Sequence, residues 1–127
     1  MGQKVKVVRE GEAREYVQET CRAKMLLTPD NVGTKGMDLG ILRLRPRSKT
    51  LPNIHPHSEE LFYVLKGKGT ITVEDETEDI EAGVGIYIPA NVVHHFENTE
   101  DEEMEFVLMH APPESADDIG DSPWAEA

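Results

Sequence analysis

The chain has 127 residues, 38% of them hydrophobic and 30% charged, which suits one domain with a real core. No apolar run approaches the roughly 18 residues that a membrane span needs. The net charge of −12 is unevenly spread: all 13 Lys and Arg lie between Lys4 and Lys68, and the stretch from Gly69 onward carries acids alone. An acidic chain is a poor ligand for nucleic acid, because phosphate neutralisation requires clustered cations. The asymmetry reads instead as oppositely charged surfaces that meet across strands or subunits, with an acidic tail that contacts a partner as the alternative. The start, Met-Gly-Gln-Lys-Val-Lys, has no apolar segment long enough for a signal peptide, and the single Cys21 has no intramolecular disulfide partner. A cytoplasmic location is therefore expected.

Taken in chain order, the elements are short strands with turn signals about every ten residues, the pattern of an all-β sandwich or barrel. Strands are predicted at 4–8, 22–27, 39–45, 60–65, 70–73, 85–88, 94–97 and 104–109. Turns fall at Thr28-Pro-Asp-Asn, Pro46-Arg-Ser, Lys66-Gly-Lys-Gly, 74–79 and Glu81-Ala-Gly. Only 10–19 has the composition of a short helix. In Glu60-Leu-Phe-Tyr-Val-Leu, alternation puts Glu60, Phe62 and Val64 on one face and Leu61, Tyr63 and Leu65 on the other. Both faces are largely apolar, which predicts a strand between layers, and a carboxylate facing inward there is costly unless it is paired or bound to a metal. From residue 112 to 127 the composition turns to Pro, Ser, Asp and Glu, which suggests an acidic tail behind a single domain over 1–111. Trp124 is the one residue there expected to dock.

Two segments carry the chemistry. His55-Pro56-His57-Ser58-Glu59-Glu60 puts two imidazoles and a carboxylate within six residues. Pro89-Ala90-Asn91-Val92-Val93-His94 adds a third imidazole after a strand and a Pro/Asn turn. Imidazoles and a carboxylate from adjacent strands are donors for a mid-row divalent metal. His95, as the neighbour of His94, faces the other side of its strand. His110 shares a face with Phe106 and Leu108 and reads as a satisfied core or rim histidine. Arg43, Arg45 and Arg47 alternate with Leu42 and Leu44; they form either an outward, solvated face or a grip for a substrate carboxylate or phosphate.

The spacing His55-x-His57-x-x-Glu60 and then Gly67 resembles the first motif of the cupin superfamily. Gly83, Pro89, Asn91, His94 and Asn98 resemble the second, and together the two span about 39–110. The resemblance implies a double-stranded β-helix, or jelly-roll, barrel with a divalent metal (Fe, Mn, Ni, Zn or Cu) near its mouth, and commonly a homodimer. Asn91 stands where the family usually has Gly, and Asn tolerates the left-handed conformation that such a turn needs. The ligand register is open at one position. The tighter register, which is preferred, makes His55, His57, Glu60 and His94 the ligands. The longer His-Pro register puts Asn53 in the place of His57. Residues 53, 55 and 57 point the same way in an extended strand, so spacing does not choose between them. A hydrogen-bonded cluster without metal is the structural alternative. The expected function is metal-dependent chemistry on a small polar organic molecule, by oxygenation, isomerisation or decarboxylation, with Arg43, Arg45, Phe62 and Phe96 as candidate substrate contacts. The alternative is a non-catalytic module that binds or senses a small molecule in the same cavity.

Overall fold

The computed structural model describes residues 4–113 and 125–126. Among the described residues, ten strands build two antiparallel sheets. They are β1 (Arg14–Val17), β2 (Cys21–Leu27), β3 (Leu39–Leu44), β4 (Glu59–Lys66), β5 (Lys68–Val73), β6 (Glu76–Glu81), β7 (Gly85–Ile88), β8 (His94–Asn98), β9 (Met104–Ala111) and β10 (Ala125–Glu126). The larger sheet runs β10-β1-β2-β3-β9-β4-β7 and the smaller β6-β5-β8. No helix among the described residues is long and apolar enough to cross a membrane.

Period-two alternation drives the assembly. On β3 Leu42 and Leu44 are buried, on β4 Phe62 and Val64, and on β9 Met104, Phe106 and Leu108. From the smaller sheet Ile71, Ile80 and Phe96 meet them. The two layers are joined by aromatic contacts: the ring of Phe96 lies 4.8 Å from Phe62 and 4.7 Å from Phe106, tilted or edge-on. Such contacts add to the burial itself. Between β4 and β5 the chain turns on the single residue Gly67, at φ +99°, where a Cβ would sit 2.7 Å from Met104 Cγ. Only glycine combines that backbone with that approach.

The sequence reading needs four corrections here. Residues 4–8 are irregular rather than a strand. Of the span 10–19 only Glu10–Glu12 turns, as a single 3-10 turn, and Arg14–Val17 is strand β1. A ten-residue helix with no apolar stripe has nothing to bury, whereas Tyr16 and Val17 suit a sheet and pair with β2. The supposed turn at 74–79 contains most of β6, whose Glu76, Thr77, Glu78 and Asp79 are exposed and only Ile80 buried. Its charge hid a strand that pairs along its whole length with β5. Finally, β4 does not lie between layers: Leu61, Tyr63 and Leu65 are each nearly half exposed on the outside of the barrel. Thr28-Pro-Asp-Asn tightens into a one-turn helix, α1 (Pro29–Val32), closed by a Thr28–Asn31 capping box.

The charge asymmetry resolves across strands. Arg43 on β3 stands opposite Glu105 on β9 and pairs with it at 3.2 Å, and with Glu10 as well. Arg22 reaches Glu103 and Arg47 reaches Asp101. Cations of the first half thus meet acids of the second. Most of the tail, including Trp124, lies outside the described residues. Within it, Ala125–Glu126 pairs with β1.

Candidate metal centre

Three pieces of backbone converge on Glu60, the second residue of β4 and 4% exposed. The first is the segment before β4, which runs alongside β8. Lys49 and Asn53 bridge Glu97 and His94, and Asn53 and His94 exchange both backbone hydrogen bonds at 2.9 Å. The amide of Asn91 then donates to the carbonyl of His55 at 2.8 Å, with Asn91 at φ +64°, the left-handed turn its side chain tolerates. The second piece is β8 itself, which begins at His94. The third is the end of β9, where His110 pairs in register with Glu60.

The resulting cluster is compact. Glu60 Oε1 lies 3.2 Å from His55 Nε2 and 3.1 Å from His94 Nε2, and Glu60 Oε2 lies 3.0 Å from His110 Nε2. The ring of His55 is 5.5 Å from that of His94 and 5.0 Å from that of His110. His94 Nδ1 is 3.1 Å from the carbonyl of Val92, which leaves its Nε2 to the cluster. Behind His110 stands Asp38, 2% exposed, with both carboxylate oxygens 3.0–3.1 Å from His110 Nδ1.

Electrostatics follow from this packing. Burial alone raises the Glu60 pKa, but the imidazoles of His110, His55 and His94 outweigh it and hold the carboxyl well below its usual range. Burial likewise opposes charge on His110, yet the Asp38 and Glu60 carboxylates prevail and push its pKa up to about 10. Despite its close neighbours, Glu60 Oε1 receives no well-directed hydrogen bond. A buried carboxylate oxygen in that position is costly. A cation seated among these donors would satisfy it. The donor atoms of His55, Glu60 and His110 all lie within 4.8 Å of one another. Bonds of about 2.1 Å to one ion need separations of at most about 4.2 Å, a small inward adjustment. The residues fit a metal.

Of the ligands expected from sequence, the fold brings together His55, Glu60 and His94. It does not bring His57, which is exposed in a bend at Pro56–His57 that ends the alternation shared by residues 53 and 55. Asn53 is adjacent, its Nδ2 3.3 Å from His55 Nε2. Arg43 lies on the outward face of β3, opposite Leu42 and Leu44, where it pairs with Glu10 and Glu105, and Arg45, just beyond the strand, is exposed. Phe62 and Phe96 are almost fully buried and fill the core beneath it. His110 is a buried, well-partnered histidine on the face with Phe106 and Leu108, as the alternation implied, and it also touches Glu60. Asp38 went unread. Its signal is faint: a lone acid beside a strand start, 17 positions before His55.

A jelly-roll barrel that gathers a buried His/Glu cluster from neighbouring strands is the class of fold that these observations define. Residues 40–110 match the Cupin domain family, and the chain belongs to it. It is 35% identical to polyketide synthase CurC of Streptomyces cyaneus over 89 residues, 70% of this chain, and spans 58% of that protein's length. Its fold is shared with a predicted oxalate decarboxylase of Thermotoga maritima (TM-score 0.73, 23% identity, 84% of this chain and 99% of the other). It is shared too with the polyketide cyclase RemF of Streptomyces resistomycificus (TM-score 0.72, 20% identity, 84% and 79%).

Proposed function

We propose that the chain is a metal-dependent cupin acting on a small, oxygen-bearing organic molecule, by oxygenation, isomerisation or decarboxylation, as a cytoplasmic homodimer. The observation that carries this reading is Glu60, a buried carboxylate held ionised among three imidazoles with one oxygen lacking a directed donor. The likeness to polyketide synthase CurC supports an organic, oxygen-rich substrate. The cluster around Glu60 would hold the ion, with His55 and His94 among its donors, and an N/O donor set of this kind suits Fe, Mn, Ni, Zn or Cu. When bound, the ion would polarise a substrate carbonyl or carboxylate oxygen. The protein's own part is to keep Glu60 charged, to fix His94 through the Val92 carbonyl, and to exclude water from below with the Phe62, Phe96 and Phe106 rings. Protein grown with added Fe, Mn, Ni and Zn should carry a substantial fraction of an equivalent of one of them by elemental analysis. Less than about a tenth of an equivalent would end the reading, since such a site should bind well.

One observation favours a second reading, a non-catalytic binding module. The cluster's groups already approach one another at 3.0–3.2 Å, so charge pairing alone stabilises them in part. The response to chelator discussed below separates the two.

The dimer rests on the outer face of β4, β7 and β9. Leu61, Tyr63, Leu65, Tyr87, Val107 and Met109 form an apolar surface there, with Tyr87 56% exposed. An apolar face of this kind marks an interface, and most homo-oligomers are symmetric pairs. Light scattering at micromolar concentration should give twice the 14.2 kDa monomer mass, and Leu61→Glu should halve it. A monomer at that concentration would remove the dimer from the reading.

A further inference from the structure

We infer that the fourth protein donor to the metal is His110 Nε2, on the last barrel strand, and that Asp38 is the positioning residue that aims it. This rests on the metal-centre reading above and decides what completes it. The two donors suggested by motif spacing are both spent or misplaced. His57 is exposed beyond a bend. Asn53 Oδ1 accepts the Ile54 N–H at 2.9 Å, and the group it turns towards His55 is its amide nitrogen, which has no lone pair for an ion. To bring Oδ1 to the cluster, Asn53 would have to turn its side chain over.

His110 has the opposite character. It enters from β9, the sheet neighbour of β4, and its Nε2 already lies 3.0 Å from Glu60 Oε2. Among the described residues, His55, Glu60 and His110 form a group whose donor atoms all lie within 4.8 Å of one another, and His94 Nε2 adjoins it through Glu60 Oε1 at 3.1 Å. The other ring nitrogen of His110 is fully engaged by Asp38, and that grip is double. Asp38 Oδ1 also accepts the His110 backbone N–H at 2.8 Å, and the Asp38 N–H donates to the His110 carbonyl at 3.1 Å. A carboxylate that takes Nδ1–H fixes the tautomer, leaves Nε2 for the ion and makes it a stronger donor. A His–Asp pair from outside the motifs thus supplies the imidazole that Asn53 lacks. The full set is His55, Glu60, His94 and His110, three nitrogens and one carboxylate.

The test uses the full chain labelled with 15N-histidine and titrated with Zn2+ alone, observing the imidazole nitrogens by NMR. Of the five histidines, His55, His94 and His110 should move to metal-bound positions, and the same three should move in His57→Ala. Zinc affinity, from competition with a chromophoric chelator, should fall about 10–100-fold in Asp38→Asn and stay within about threefold in Asn53→Ala. A response from His55 and His94 alone, or wild-type affinity in Asp38→Asn, overturns the assignment while the metal centre stands. If no histidine responds and no zinc is taken up, the metal centre itself falls and the assignment with it. The spectra of the unsubstituted protein decide the matter even if the Asp38 variant does not fold.

Discussion

Asn98→Ala should destabilise the protein by at least about 3 kcal/mol, a loss out of proportion to the few atoms removed. Asn98 ends β8 and is completely buried. Its Nδ2 lies 3.2 Å from the carbonyl of Leu44, 3.1 Å from that of Arg45 and 2.7 Å from that of Glu102, and its Oδ1 accepts the Glu100 N–H. Two amide hydrogens are shared among three carbonyls, which ties the end of β3 to the turn before β9. Removing the side chain leaves backbone groups in the interior without partners, each costing about 1–3 kcal/mol, with some overlap. Asn98→Asp keeps the shape but turns a charged acceptor onto the carbonyls, and should be at least as damaging. Urea unfolding of the metal-free protein measures both. A loss below about 1 kcal/mol in Asn98→Ala would show that water replaces the amide there.

The second large effect is the dependence of stability on pH and metal, where two signs oppose each other. The folded pKa of His110 is raised to about 10 from an ordinary value near 6.5. Its contribution is therefore complete below about pH 6.5 and is lost as pH rises towards 10. Glu60 is depressed, so its contribution is present above about pH 4.5 and is lost as pH falls towards its folded value. The metal-free protein should accordingly be most stable between about pH 4.5 and 6.5 and weaken steadily above it. Metal acts the other way. Ligand imidazoles must be neutral, so affinity falls with acidification, by up to about a thousandfold per pH unit for three histidines well below their pKa values. Melting temperatures with zinc and with chelator should coincide near pH 5 and diverge as pH rises, because binding to the folded state stabilises it. A melting temperature indifferent to chelator at pH 7.5 would favour the metal-free binding module. A metal-free curve that is flat from pH 6.5 to 9.5 would refute the charged His110.

What could be read from sequence follows from how locally each feature is encoded. The two motifs are short, and their Gly, Pro and Asn positions fix turns directly. Asn91 accordingly takes the left-handed conformation expected of it, Gly67 turns the chain where a turn is expected, and His55, Glu60 and His94 meet. His57 does not join them because its direction depends on a bend. Alternation treats 53, 55 and 57 as one face, while Pro56–His57 leaves the extended conformation. Strand β6 was hidden because one buried residue, Ile80, among acids and threonine makes no hydrophobic period. His110 was placed on the correct face, the end of a stripe through Met104, Phe106 and Leu108. Its partners lie 50 and 72 positions away in sequence, and no spacing rule reaches that far.

That acidic β6 has a further meaning. It forms the outer edge of the three-stranded sheet, and a sheet edge is a template for another chain's strand. Glu76, Glu78, Asp79 and Glu81 line that edge with like charge along nearly its whole length. A second copy approaching edge to edge meets the same charges, so the repulsion that disguised this strand in the sequence also guards the folded barrel against growing into a fibre.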